Sequence, residues 1–121
     1  MAEGESVGMM EGAFFVSRKE VIDWLNSTFV TNFSKIEQTH TGAIACQIWD
    51  ACFPGSVAMN KVNWSAKQHY EKVNNYKVLQ KALDKTGVKK HVPVDSLLRG
   101  KYQDNLEFMQ WIYNIYQKNN A

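Results

Sequence analysis

The sequence predicts an all-α fold, a single compact domain of four main helices joined by short helical connectors. Three observations carry that expectation. Apolar residues recur at three- and four-residue spacing in several separate stretches. Capping signatures, and glycine or proline stops, stand at the ends of those stretches. No stretch alternates apolar and polar residues in the manner of a strand, and no internal repeat is visible. The 121 residues suit one domain with a substantial core. Four Trp, five Tyr and six Phe are expected to fill much of it.

The elements follow in order. Residues 1–15 carry Glu3, Glu5 and Glu11 and no base, and they read as a flexible segment ahead of a domain spanning 16–119. "SRKEVIDWLNSTF" opens on Ser17 with Glu20 three residues on, a capping box. Val21, Trp24, Leu25 and Thr28 then hold helical spacing. "SKIEQTHTGAIACQIWDACFPG" predicts a short helical turn, then a largely buried helix from about Thr41, stopped by Pro54 and Gly55. "SVAMNKVNW" is a connector with inward-facing Val57, Met59 and Val62. The longest periodic stretch runs from Ser65 to Gly87. Its apolar stripe is Val73, Tyr76, Leu79 or Gln80, and Leu83, with Lys67, Lys72, Lys77, Lys81 and Lys85 mostly outside it and Gly87 as terminator. Pro93 introduces a short turn through Leu97 and Leu98, closed by Gly100. Asp104 and Glu107 form a cap-like pair for a last helix filled by Leu106, Phe108, Trp111, Ile112 and Ile115.

Composition excludes several classes. No apolar run approaches the roughly 20 residues of a membrane-spanning helix. The N-terminus lacks the basic region of a secretory signal or transit peptide. Cys46 and Cys52 sit six apart with no CxxC pair, so they read as buried free thiols rather than metal ligands. His40, His69 and His91 are scattered, and His69 reads as half-buried packing on the long helix. HExxH, GxSxG, Walker and GxGxxG patterns are all absent. Asp104 and Glu107 could serve as paired carboxylates, but their spacing at a helix start is explained by capping. A binding module is therefore expected, with no catalytic residues, cofactor or metal.

The net charge of +2 conceals an asymmetry. Ten of the 14 basic residues lie between 61 and 101, against the acids Glu71, Asp84 and Asp95. Lysines along helices commonly form a solvated face, and the alternative is attraction to an acidic macromolecule. Within "LLRGKYQDNLEFMQW", Gly100 lets the backbone turn sharply so that Lys101 projects, and the apolar helix behind it anchors the turn. That is the plan of a charged tip braced by a packed helix.

Several stretches together are specific. They are "KIEQ" at 35–38, Gly42–Ala43 with Cys46–Gln47, "FPGS" at 53–56 and Lys61–Val62. Ala66–Lys67, "KVLQ" at 77–80, "VPVD" at 92–95 and "GKYQDNLEFMQW" at 100–111 continue them. In this order they resemble the N-terminal calponin-homology domain of the microtubule end-binding proteins, from about Ser17 to Asn119. The resemblance implies a non-catalytic domain that binds tubulin lattice at growing plus ends through a basic surface and helps regulate microtubule dynamics. It implies a cytoplasmic protein on the cytoskeleton, at microtubule plus ends and the spindle. Carried over residue by residue, the microtubule-facing set is Arg18, Lys61, Lys67, Lys90, Arg99 and Lys101, with Gln103 and Glu107 as polar members. Asn60, Asn63 and Ser96 stand where family members commonly carry lysines, and Lys89 stands where an acid is common. No heptad run follows Tyr116. The expectation is an isolated, monomeric domain from a longer protein that dimerises through a coiled coil and meets other plus-end-tracking proteins through its C-terminal region. An actin-binding calponin-homology domain and a basic helical nucleic-acid binder are the alternatives. The second conflicts with aromatics that follow core spacing and cations scattered over several segments.

Overall fold

The computed structural model describes residues 16–120, with no statement for the side chain of Asn120. The acidic N-terminal stretch therefore lies outside the described residues, as does the flexibility expected of it. Helix α1 spans Arg18–Thr28 and a 3-10 turn spans Ile36–Thr41. Helix α2 spans Ala43–Cys52, and a second 3-10 turn spans Met59–Lys61. Helix α3 runs His69–Lys85, α4 is the short Val94–Leu98, and α5 is Tyr102–Asn120. Among the described residues there is no strand, and four longer helices with short connectors match the expected all-α class.

The hub is α2, six of whose ten residues are buried. It packs against both α3 and α5, while α1 lies on α5 and α4 bridges α3, α5 and the first 3-10 turn. A helix packed on several sides is apolar over most of its surface, which is why "AIACQIW" is interrupted by a single polar residue, Gln47, at its partly exposed position. The aromatic core is continuous across this hub. Trp49 of α2 stacks on Trp111 of α5 at 5.7 Å between centroids, and Phe108 lies 5.9 Å from Trp111. A second aromatic group seals α1 to α5, with Trp24 against Tyr113 at 4.9 Å and against Tyr116 at 5.3 Å.

Helix starts follow local chemistry. The Ser17–Glu20 capping box forms as read from sequence, at 3.1 and 3.0 Å. Helix α2 begins at Ala43 rather than Thr41, because Thr41 closes the 3-10 turn and Gly42 takes φ +85° between the two. A Cβ at that position would sit 3.0 Å from the Tyr76 ring, so glycine is needed both for the turn and for the contact. Helix α3 begins at His69, four residues after Ser65. Its first turn is secured by the Glu71 carboxylate, which accepts from the Lys67 and Gln68 amides at 2.8 Å each. His69 is therefore exposed at the helix start, not half-buried as its position suggested. Helix α5 likewise begins ahead of Asp104, so that residue lies within the first turn and Glu107 pairs with Gln103 instead of serving a cap.

The buried stripe of α3 differs from the expected one. Val73 is only half-buried, and the fully buried position is Asn75, beside Tyr76, Leu79, Ala82 and Leu83. Asn75 is tolerated there because every polar atom of its side chain is used. Its Oδ1 accepts from the Asn63 amide at 2.8 Å, and its Nδ2 donates to the carbonyls of Thr41 at 2.9 Å and Asn63 at 3.0 Å. The Cys46 thiol adds a contact to the Asn75 carbonyl at 3.4 Å. Burial pushes that thiol up to about 12, so it stays protonated. Cys46 is buried and Cys52 half-buried, both free of disulfides.

Asn75→Ala should therefore destabilise the domain by about 2–4 kcal/mol, because it strands two carbonyls and one amide away from water. A circular-dichroism melt or urea titration measures it. A loss under about 0.5 kcal/mol would show that the polar tie is dispensable.

Candidate functional site

The projecting edge is built where α4 turns into α5. Asp95 and Leu97 accept from the amides of Arg99 and Gly100 at 3.2 and 3.0 Å, and Gly100 adopts φ +72°. That left-handed glycine ends α4 and leaves Arg99 and Lys101 exposed on either side of it. The turn is held from beneath by Asn105, which is buried. Its Nδ2 donates to the carbonyls of Lys101 at 2.8 Å and Leu97 at 3.2 Å. The polar tie between the turn and the start of α5 is thus made by Asn105, the neighbour of the expected cap Asp104.

Around this turn the structure gathers six of the eight residues singled out from sequence: Arg18, Lys90, Arg99, Lys101, Gln103 and Glu107. Arg18, the first residue of α1, places its guanidinium 5.9 Å from the centre of the Tyr102 ring. Gln103 donates to Glu107 at 3.0 Å, and Glu107 in turn faces Lys90 electrostatically. The Lys90 ammonium lies 5.2 Å over the ring of Trp111. Gln103, Glu107 and Trp111 are four residues apart on α5, so one helical row carries the polar edge down to the core indole.

Lys90 differs from the other cations. It is half-buried, and burial holds its pKa below the ordinary lysine value, with Glu107 partly offsetting the shift. Desolvation strengthens any interaction this ammonium makes with a partner's carboxylate, and the ring beneath it supplies a cation–π contact. Lys61 and Lys67 stand apart. Both are exposed on the segment leading into α3, and among the described residues no hydrogen bond or ring contact joins them to the α4–α5 edge. The Lys67 backbone is nevertheless fixed, because its amide is one of the two held by Glu71, whose carboxylate pKa is lowered by those amides.

Sequence reasoning missed three contributors. Tyr102 is partly exposed and supports Arg18. Trp64, 51% exposed, lies between Lys61 and Lys67 in the chain, and Tyr70 is exposed just beyond. The available signal was an aromatic side chain off any apolar stripe, in a connector for Trp64 and in the first two residues of a helix for Tyr70 and Tyr102. Among the described residues no three His, Cys, Asp or Glu side chains stand together as a metal site, and no helix is long and apolar enough to cross a membrane.

Comparison with known proteins fits this architecture. Residues 15–121 match the calponin homology (CH) domain family. The chain is 49% identical over 107 residues to microtubule-associated protein RP/EB family member 1C of Arabidopsis thaliana, covering 88% of this chain and 32% of that protein. Member 1B of the same plant is 45% identical over 107 residues, with 88% and 36% covered. The chain thus spans about a third of the length of these relatives. A solved structure from work on the structural basis of microtubule plus end tracking by XMAP215, CLIP-170 and EB1 superposes with a TM-score of 0.82 at 43% identity, covering 87% of this chain and 89% of that one.

The charge environment of Lys90 makes a pH test available. The folded state holds this proton less tightly than the unfolded chain. The desolvation cost is therefore felt below the lowered pKa and fades as pH rises towards 10.5. In a 13C NMR titration of lysine Cε resonances, Lys90 should deprotonate before the exposed lysines, and Glu107→Gln should move its midpoint lower still. A midpoint unchanged in the Gln variant would remove Glu107 from the edge's electrostatics.

Proposed function

The chain belongs to the calponin homology domain family, and we propose that it is a microtubule-binding form of that domain, without catalytic activity. It recognises tubulin lattice at growing plus ends and helps regulate microtubule dynamics. The observation that carries this reading is the braced α4–α5 edge. There Lys101 is held exposed by Gly100 and Asn105, within the "GKYQDNLEFMQW" stretch that carries the resemblance to the end-binding proteins. Likeness to the two plant RP/EB proteins and to the plus-end-tracking structure supports the same assignment.

In this reading Arg18, Lys90, Arg99 and Lys101 face the acidic tubulin exterior, and Gln103 and Glu107 supply polar contacts beside them. Lys61 and Lys67 extend the contact from the segment before α3. Complementary charge gives orientation and a fast encounter. The ring contacts under Arg18 and Lys90 and the Gln103–Glu107 hydrogen bond limit the conformational entropy those side chains lose on docking. The domain binds as a monomer, and the longer protein dimerises through a coiled coil and recruits other plus-end-tracking proteins through its C-terminal region. The protein resides in the cytoplasm on microtubule plus ends and the spindle.

Two outcomes are expected. Lys101→Glu should weaken cosedimentation with microtubules at least about tenfold, since charge reversal removes an attraction and adds a repulsion. Its thermal melt should stay within ~0.5 kcal/mol of the parent, as expected for an exposed side chain. Parent-like binding, or an unfolded variant, would overturn the role given to this edge. Imaged on dynamic microtubules, the labelled domain should concentrate at growing ends and dissociate as salt shortens the Debye length below ~8 Å. Uniform, salt-insensitive decoration would contradict the charge-based mechanism.

A further inference from the structure

A cleft of about 590 Å³ opens between the second 3-10 turn and α3. Lys61, Lys77, Lys81 and Lys85 line it together with Ser56, and no carboxylate does. Lys77, Lys81 and Lys85 are spaced four residues apart on α3, so their stems leave one helix face in a row with about 6 Å between neighbours. All four lysines are exposed, and the ion pair found among the described residues, Lys19–Asp23, involves none of them. Like charges in such a row repel one another, and no ion pair among the described residues holds any of the four.

Ser56 supplies an independent observation. It is only 9% exposed, its backbone amide donates to the Phe53 carbonyl, and its Oγ has no hydrogen-bond partner. Buried hydroxyls in folded proteins are almost always paired, because leaving one unpaired forfeits its hydration with no return. Here the orphan hydroxyl belongs to a residue on the wall of a four-lysine cleft.

We propose that this cleft binds a small, multiply phosphorylated anion in solution, with the lysines supplying charge and the Ser56 hydroxyl, buried just behind the cleft wall, becoming a directional donor when its side chain rotates outward. Lysine binds phosphate as a compact point charge, and four such charges with no carboxylate among the lining residues suit an anion that carries several negative charges. The walls are helix and connecting loop, and among the described residues they offer no strand edge along which an extended acidic peptide could form main-chain hydrogen bonds. The volume falls in the range of small-ligand pockets, and Ala58 and Val78 give it apolar wall. The site overlaps the tubulin reading at one residue. Lys61 is common to both, but Lys77, Lys81 and Lys85 lie outside the proposed microtubule-facing set.

The test is calorimetric titration of the 121-residue chain with sodium tripolyphosphate at fixed ionic strength, with sodium sulfate as control. Tripolyphosphate should bind saturably at one site and at least tenfold more tightly than sulfate. Lys81→Glu combined with Lys85→Glu should weaken it at least tenfold while the circular-dichroism melt and microtubule cosedimentation hold. Lys89→Glu, a charge change outside the cleft, should alter binding less than twofold. Ser56→Ala should weaken binding several-fold without lowering the melting temperature, because it removes an unpaired hydroxyl. Unsaturable binding, equal affinity for sulfate, parent-like binding by the double variant, or an equal loss in Lys89→Glu would each overturn the proposal. Tighter binding of a hexaglutamate peptide than of tripolyphosphate would overturn it in favour of an acidic-peptide groove.

Discussion

The indole of Trp111 joins the interior of this domain to its charged edge. It is 4% exposed, stacks on Trp49 of the buried central helix, and lies beneath the Lys90 ammonium. Aromatic rings at such spacing contribute beyond their buried area, and a cation gains from the ring's negative face. One side chain therefore fixes how α5 sits on α2 and, through the same contact, where a half-buried cation is held. The row Gln103, Glu107, Trp111 carries that placement to the α4–α5 turn, so the edge inherits its rigidity from the core.

Two buried asparagines do for the loops what the indoles do for the helices. Asn75 ties the first 3-10 turn and the segment before α3 to the middle of α3. Asn105 ties the end of α4 to the start of α5. Backbone groups in turns have no helical partner, and burying them beside the core demands a substitute. An amide side chain offers both donor and acceptor, which is why asparagine occupies these sites where an aliphatic residue would otherwise pack better. The result is a domain whose functional loops are set by specific polar contacts, with the apolar core providing the bulk of stability.

The cations on the surface divide by environment more than by number. Lys90 is partly desolvated, ring-supported and balanced by Glu107, so its position is defined before any partner arrives. The lysines of α3 are exposed along a cleft without carboxylates, where charge accumulates without being neutralised. Fixed, partly dehydrated charge favours orientation-specific contact with a macromolecule. Accumulated, solvated charge favours capture of a compact anion. The same basic composition can thus serve two kinds of recognition on one small domain.

What the sequence alone determined was whatever depends on near neighbours. Helix existence, the Ser17–Glu20 capping box, the stops at Gly55, Gly87 and Gly100, and the concentration of base between 61 and 101 are all local, and periodicity and capping report them directly. The order of motifs also placed the chain in its family. What only tertiary structure decided was which polar residues face inward and which cations share an environment. Asn75 reads as a surface residue by hydropathy, and its burial is legible only once Thr41 and Asn63 stand beside it, 34 and 12 positions away. Asp104 outranked Asn105 as a cap because capping rules count residues along one helix, whereas the Leu97 carbonyl that Asn105 holds belongs to the preceding one. Gln110 reaches the Val16 carbonyl across 94 positions, and Lys61 meets the α3 lysines only around a folded cleft. Such pairings are set by how helices cross, and no spacing rule within a single helix encodes that.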